Sequence, residues 1–85
     1  MERLFGRIVH VDHKRGFFFI AINGDKHNRM FAHFSSLYDG EQKMWAEGVS
    51  DAEMCGSWVS FSERINPRGG RLQAAEVIFE VKGQL

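Results

Sequence analysis

Three consecutive phenylalanines stand at the centre of the segment Arg15-Gly16-Phe17-Phe18-Phe19-Ile20. In an extended strand alternate residues share a face, so Phe17 and Phe19 point one way while Phe18 and Ile20 point the other. A second segment, Met30-Phe31-Ala32-His33-Phe34, divides in the same manner, with Phe31 and His33 on one face and Met30 and Ala32 on the opposite one. One small core cannot take all four bulky side chains of the first segment, so two of its rings must be displayed outside. If the two strands pair, Phe17, Phe19, Phe31 and His33 become one exterior patch of four rings. Clustered exposed aromatics are expensive to keep unless something binds them. The chemistry on offer is stacking. An unpaired nucleic-acid base presents a π-face, and each base stacked on an aromatic side chain contributes roughly 1 to 3 kcal/mol.

Other chemistries find less support. His10, His13, His27 and His33 lack the paired spacing of a zinc site, and Cys55, the single cysteine, cannot complete a thiolate set or an internal disulfide. No metal and no cofactor are expected. Asp12, Asp25, Asp39 and Asp51 fall in turn or loop contexts, without a nucleophile–base pair or a phosphate-cradling glycine motif, so no enzymatic activity is expected. Eleven basic residues balance eleven acidic ones, which removes the long-range field that steers polyanions. That counts against tight duplex binding, where affinity comes mainly from phosphate neutralisation. Recognition of single strands depends on it less.

The elements that must position these rings are short strands between turn signals. The first strand reads from Leu4 to Val11, closed by Asp12-His13-Lys14-Arg15-Gly16, and the second from Phe17 to Ile22. Asn23-Gly24-Asp25 is a strong turn, so the third strand, Arg29 to Phe34, should form a hairpin with the second. A fourth runs from Ser57 to Ser62, with Val59 and Phe61 on one face, and a fifth from Leu72 to about Val81, after the loop Asn66-Pro67-Arg68-Gly69-Gly70. Between strands three and four lies a longer loop, Ser35 to Gly56, whose middle, Glu41 to Glu47, uses good helix formers. Five short strands in 85 residues predict an all-β fold, a small antiparallel OB-fold barrel in one domain, since closure removes exposed sheet edges. The longest apolar run, Phe17 to Ile22, is far too short to cross a bilayer. A soluble, cytoplasmic monomer is expected.

The chain resembles the cold-shock domain family, whose members carry K-G-F-G-F-I on strand two and V-F-V-H-F on strand three. Here the corresponding segments are Arg15-Gly16-Phe17-Phe18-Phe19-Ile20 and Met30-Phe31-Ala32-His33-Phe34, followed by Ser35 as in the family's H-F-S. The opening G-x-V-K-W-F-N is matched loosely by Gly6-Arg7-Ile8-Val9-His10-Val11-Asp12, G-x-x-V-x-F by Gly56 to Phe61, and the closing Q-A-x-N-V by Gln73 to Val77. These matches keep the family's order and span nearly the whole chain. That order also sets the chain apart from the RNA-recognition motif, in which the partner motif comes earlier, on strand one, with helices intervening. The resemblance implies binding of single-stranded RNA or DNA, with pyrimidines favoured and roles in RNA chaperoning or in transcriptional or translational regulation. It adds His10, Arg15, Phe34 and Gln73 to the four rings as site residues, with Arg68 and Arg71 from the glycine-rich loop that borders the binding face in the family.

Departures from the family pattern carry their own expectations. Phe18 stands where the family has glycine, and Ala32 replaces valine across the hairpin, a partial exchange of core volume that a barrel can absorb. On strand one, His10 replaces tryptophan, Val11 phenylalanine and Val9 lysine, which removes two stacking rings and one phosphate partner, so binding should be weaker or shifted toward strands two and three. Simple alternation places His10 on the same face as Ile8, and its exposure is implied by the resemblance alone. Tyr38 and Trp45 in the long loop are candidates for an additional stack, with packing of Trp45 onto the barrel as the competing reading. An OB-type protein-interaction module is the alternative function, favoured by the neutral charge and the missing strand-one tryptophan.

Overall fold

A computed structural model describes residues 3 to 81. Its five strands, β1 (Leu4–Asp12), β2 (Phe17–Ile22), β3 (Arg29–His33), β4 (Trp58–Ile65) and β5 (Leu72–Val81), form one antiparallel sheet in the order β3-β2-β1-β4-β5. The sheet curls until its outer strands meet. A parallel bridge between Leu37 and Val77, with the Tyr38 N–H donating to the Val77 carbonyl at 3.0 Å, joins the chain just after β3 to β5. The result is a small five-stranded barrel of the OB type, all-β as expected apart from its helical insert. Among the described residues no helix is long and apolar enough to cross a membrane.

The inward face is read from the alternation. Phe18 and Ile20 of β2, Met30 and Ala32 of β3, and Val59 and Phe61 of β4 join Ile8, Val77 and Phe79 in one buried cluster. Phe18 lies opposite Ala32 in the register, so the added ring and the missing methyls do share one space. The β2–β3 connection starts with Asn23 (φ 55°) and Gly24 (φ 78°), the positive angles of a type I′ turn, closed by the Asp25 N–H on the Ile22 carbonyl at 3.0 Å.

The insert folds as two helices, α1 (Gly40–Gly48) and α2 (Asp51–Met54). Asp39 caps the first by accepting from the Glu41 N–H, and Ser50 caps the second by accepting from the Glu53 N–H. Such short helices need tertiary contacts. Ala46 and Met54 supply them by entering the core, and the Trp45 ring meets Phe79 edge-on at 5.2 Å. The Gln42 amide adds a further tie, donating to the Phe79 carbonyl at 3.1 Å and accepting from the Phe79 N–H at 2.9 Å. It thereby covers backbone groups of β5 that an edge strand would expose.

Candidate nucleic-acid interface

Strand pairing arranges the outer face of β1, β2 and β3 in cross-strand rows. Phe17 pairs with Asp12 on one side and His33 on the other, and Phe19 with His10 and Phe31. Ring centroids lie 5.8 Å apart for Phe17 and Phe19, 5.6 Å for Phe17 and Phe31, and 5.7 Å for Phe19 and Phe31. His33 stands 6.4 Å from Phe31. The three phenylalanines are half-buried against one another, whereas His10 and His33 are exposed. Each ring therefore keeps part of a face or edge toward solvent, as a base-stacking platform requires.

His10 reaches this face through a β-bulge. Ile8 pairs with Ile20 and His10 with Phe19, so Val9 is an extra residue on β1 with no partner of its own on β2. The inserted residue resets the alternation. Ile8 and Val11 both enter the core, and the His10 ring turns outward to lie 6.2 Å from both Phe17 and Phe19. The same reset corrects one expectation. Val11 points inward, so on strand one only position 10 is a lost stacking position on this face.

Around the rings, a groove of about 280 Å³ is lined by Phe19, Phe31, Asn66, Arg71, Leu72 and Gln73. The Asn66 side-chain amide donates to the Gln73 side-chain oxygen at 3.1 Å, which holds the β4–β5 loop against β5. Arg71 and Gln73 thus join the aromatic patch. Arg68 is exposed on that loop but does not line the groove. Arg15 flanks Phe17 in the β1–β2 turn, where its backbone N–H binds Asp12 at 3.0 Å and its guanidinium lies 3.9 Å from the same carboxylate. Phe34 is a correction. Strand β3 ends at His33, and in the 3₁₀ turn over Phe34–Ser36 the Phe34 ring points inward, where it is 7% exposed and meets Phe18 edge-on at 5.5 Å. It is core, and it cannot stack on a base from there.

No family model matches the chain, and no curated protein matches it significantly.

Of the two loop aromatics, Trp45 is occupied by Phe79. Tyr38 is 68% exposed and borders a second groove of about 310 Å³, shared with Ser35, Arg64, Gln73 and Glu76. Gln73 lines both grooves, so Tyr38 is placed to extend the ring surface beyond β3. Asn66 and Leu72 line the groove and Arg7 stands in the row beside the rings, three positions not among the candidates named from the sequence. Alternation from the buried Ile8 would have found Arg7, whereas the groove positions depend on how the 66–70 loop folds back, for which the sequence carries no periodic signal. Among the described residues, no group of three or more His, Cys, Asp or Glu side chains is placed to hold a metal ion. Burial pushes the Cys55 thiol up, which makes it a poor nucleophile.

Proposed function

We propose that this protein binds single-stranded RNA or DNA by stacking bases on Phe17, Phe19 and Phe31, with His10 and His33 at the margins. The observation that carries the reading is the outward cluster of five rings within about 6 Å of their neighbours, on the three strands whose inward residues already fill the core. The rings support one another across the strands, but a cluster left partly open to water is costly to keep unless something binds it. The motif resemblance to cold-shock domains supports the same reading, as does the bulge that brings position 10 onto the ring face. Arg71 and Gln73 border the rings with one charged and one amide side chain, suited to a phosphate and to a base edge.

A chain without net charge that relies on ring faces should discriminate strongly between single strands and duplex, because a paired base cannot offer its face. Titration of a labelled pyrimidine-rich single strand and of the matching duplex at one salt concentration tests this. Tighter binding of the single strand is the expected result, and equal affinity for the two would overturn the reading.

A further inference from the structure

The row of the sheet next to the rings carries two arginines. In the register Arg7 pairs with Ala21 and Ala21 with Arg29, and alternation from the buried Phe18 and Ile20 sends all three outward, beside the His10–Phe19–Phe31 row. Two strand spacings place the two arginine backbones roughly 10 Å apart. Among the described residues each guanidinium donates through its Nε alone, Arg7 to the Gly56 carbonyl at 3.3 Å and Arg29 to the Lys26 carbonyl at 2.9 Å. Both acceptors are neutral. Among the described residues neither arginine has a carboxylate within ion-pair distance, in contrast to Arg15 with its Asp12. The terminal Nη groups, which form the planar fork that fits a phosphate, donate to none of the described residues.

We propose that Arg7 and Arg29 hold two backbone phosphates of the bound strand, so that it crosses from β1 to β3 with its backbone over Ala21 and its bases turned onto Phe19 and Phe31. This rests on the stacking function proposed above and assigns its electrostatic half. Successive outward rows are separated by about 7 Å along a strand, comparable to the offset between a nucleotide's phosphate and its own base. Ala21 has no accessible surface of its own, so the strand passes above it without touching it. Phosphate contacts fix register and orientation without selecting bases, so base preference stays with the rings and the groove.

The test is the salt dependence of single-strand affinity. Each neutralised phosphate contributes about 0.7 to the slope of log K against log salt for single strands. R7Q and R29Q should therefore each lower the slope by about 0.7, and the double variant by about 1.4, while the ranking of base preferences is unchanged. R7K/R29K should retain the slope. An oligomer of the same bases on an uncharged backbone should bind wild type and R7Q/R29Q equally. If the double glutamine variant melts early, R29Q alone decides by the same criterion. Single-strand binding with an unchanged slope would overturn the arginine assignment and leave stacking standing. Failure of the wild type to bind any single strand would overturn both.

Discussion

Phe17, Phe18 and Phe19 are chemically identical and do different things, because a strand turns each successive side chain through to the other face. Phe18, with no exposed surface, is held between Ala32 and Phe34, and its removal leaves a cavity that a small barrel cannot collapse. Phe18→Ala should lose about 3 to 5 kcal/mol of stability, as core phenylalanines do, and a thermal or denaturant melt measures it. A melt unchanged by this variant would mean that the facing is inverted. His10 offers the opposite experiment. Its ring is exposed and 6.2 Å from two phenylalanines, so His10→Trp enlarges the stacking surface without entering the core and should gain on the order of 1 kcal/mol in single-strand affinity. A variant that melts lower and binds no better would show that position 10 turns inward in solution. Ring facing on strands two and three was legible from alternation. Phe34 follows the same rule, since alternation puts it on the inward face of Met30 and Ala32 where it is found, and its place among the site residues rested on the resemblance alone.

At the level of elements, the strand boundaries read from the sequence differ from those observed by a few residues at most, since turn residues punctuate them clearly. The bulge at Val9 was invisible. Nothing in Ile8-Val9-His10-Val11 distinguishes a bulged strand from a regular one, and only pairing with β2 reveals the extra residue. The insert was legible as helix-forming and the packing of Trp45 onto the barrel was one of its two readings, while the further tie made by a histidine from a distant turn was not legible. His13 Nε2 meets the Ala46 carbonyl at 2.6 Å and Nδ1 meets the Asp51 carboxylate. Two acceptors require both ring nitrogens to donate, which only the imidazolium can do. Burial alone would lower the His13 pKa, but the hydrogen bonds to Asp51 and Ala46 and the charges of Asp51 and Asp12 outweigh it and raise it above its ordinary 6.5. The hydrogen bond from His13 likewise lowers Asp51 below its ordinary 3.8. A raised folded-state histidine contributes stability that is complete below the unfolded value and lost as pH rises through the folded one. The depressed Asp51 contributes above its unfolded value and loses its contribution as pH falls through the folded one. The melting temperature should therefore decline as pH rises above the ordinary histidine value of 6.5, and His13→Gln should abolish that part of the decline. A decline of equal size in the variant would assign it elsewhere.

Over the whole molecule, zero net charge conceals an uneven distribution. Exposed acidic side chains are spread along the helical insert, at Asp39, Glu41, Glu47, Asp51 and Glu53, while the outer face of β1, β2 and β3 carries rings with Arg7 and Arg29 beside them and Arg71 at the groove. The sequence total counted against long-range steering and tight duplex binding, and the fold adds that charge is available locally beside the rings, which is all that contact-range phosphate pairing needs. An all-β barrel with one core and one aromatic face was legible because both periodicity and motif order point to it. The arginine row required the register. The central claim is that the outward rings bind bases, and the most direct measurement is single-strand affinity with the melting temperature taken on the same samples for Phe17→Ala, Phe19→Ala and Phe31→Ala. Each substitution should cost about 1 to 3 kcal/mol of binding with a far smaller loss of stability than Phe18→Ala. Wild-type affinity in all three variants, or a loss of binding that tracks unfolding alone, would contradict the account.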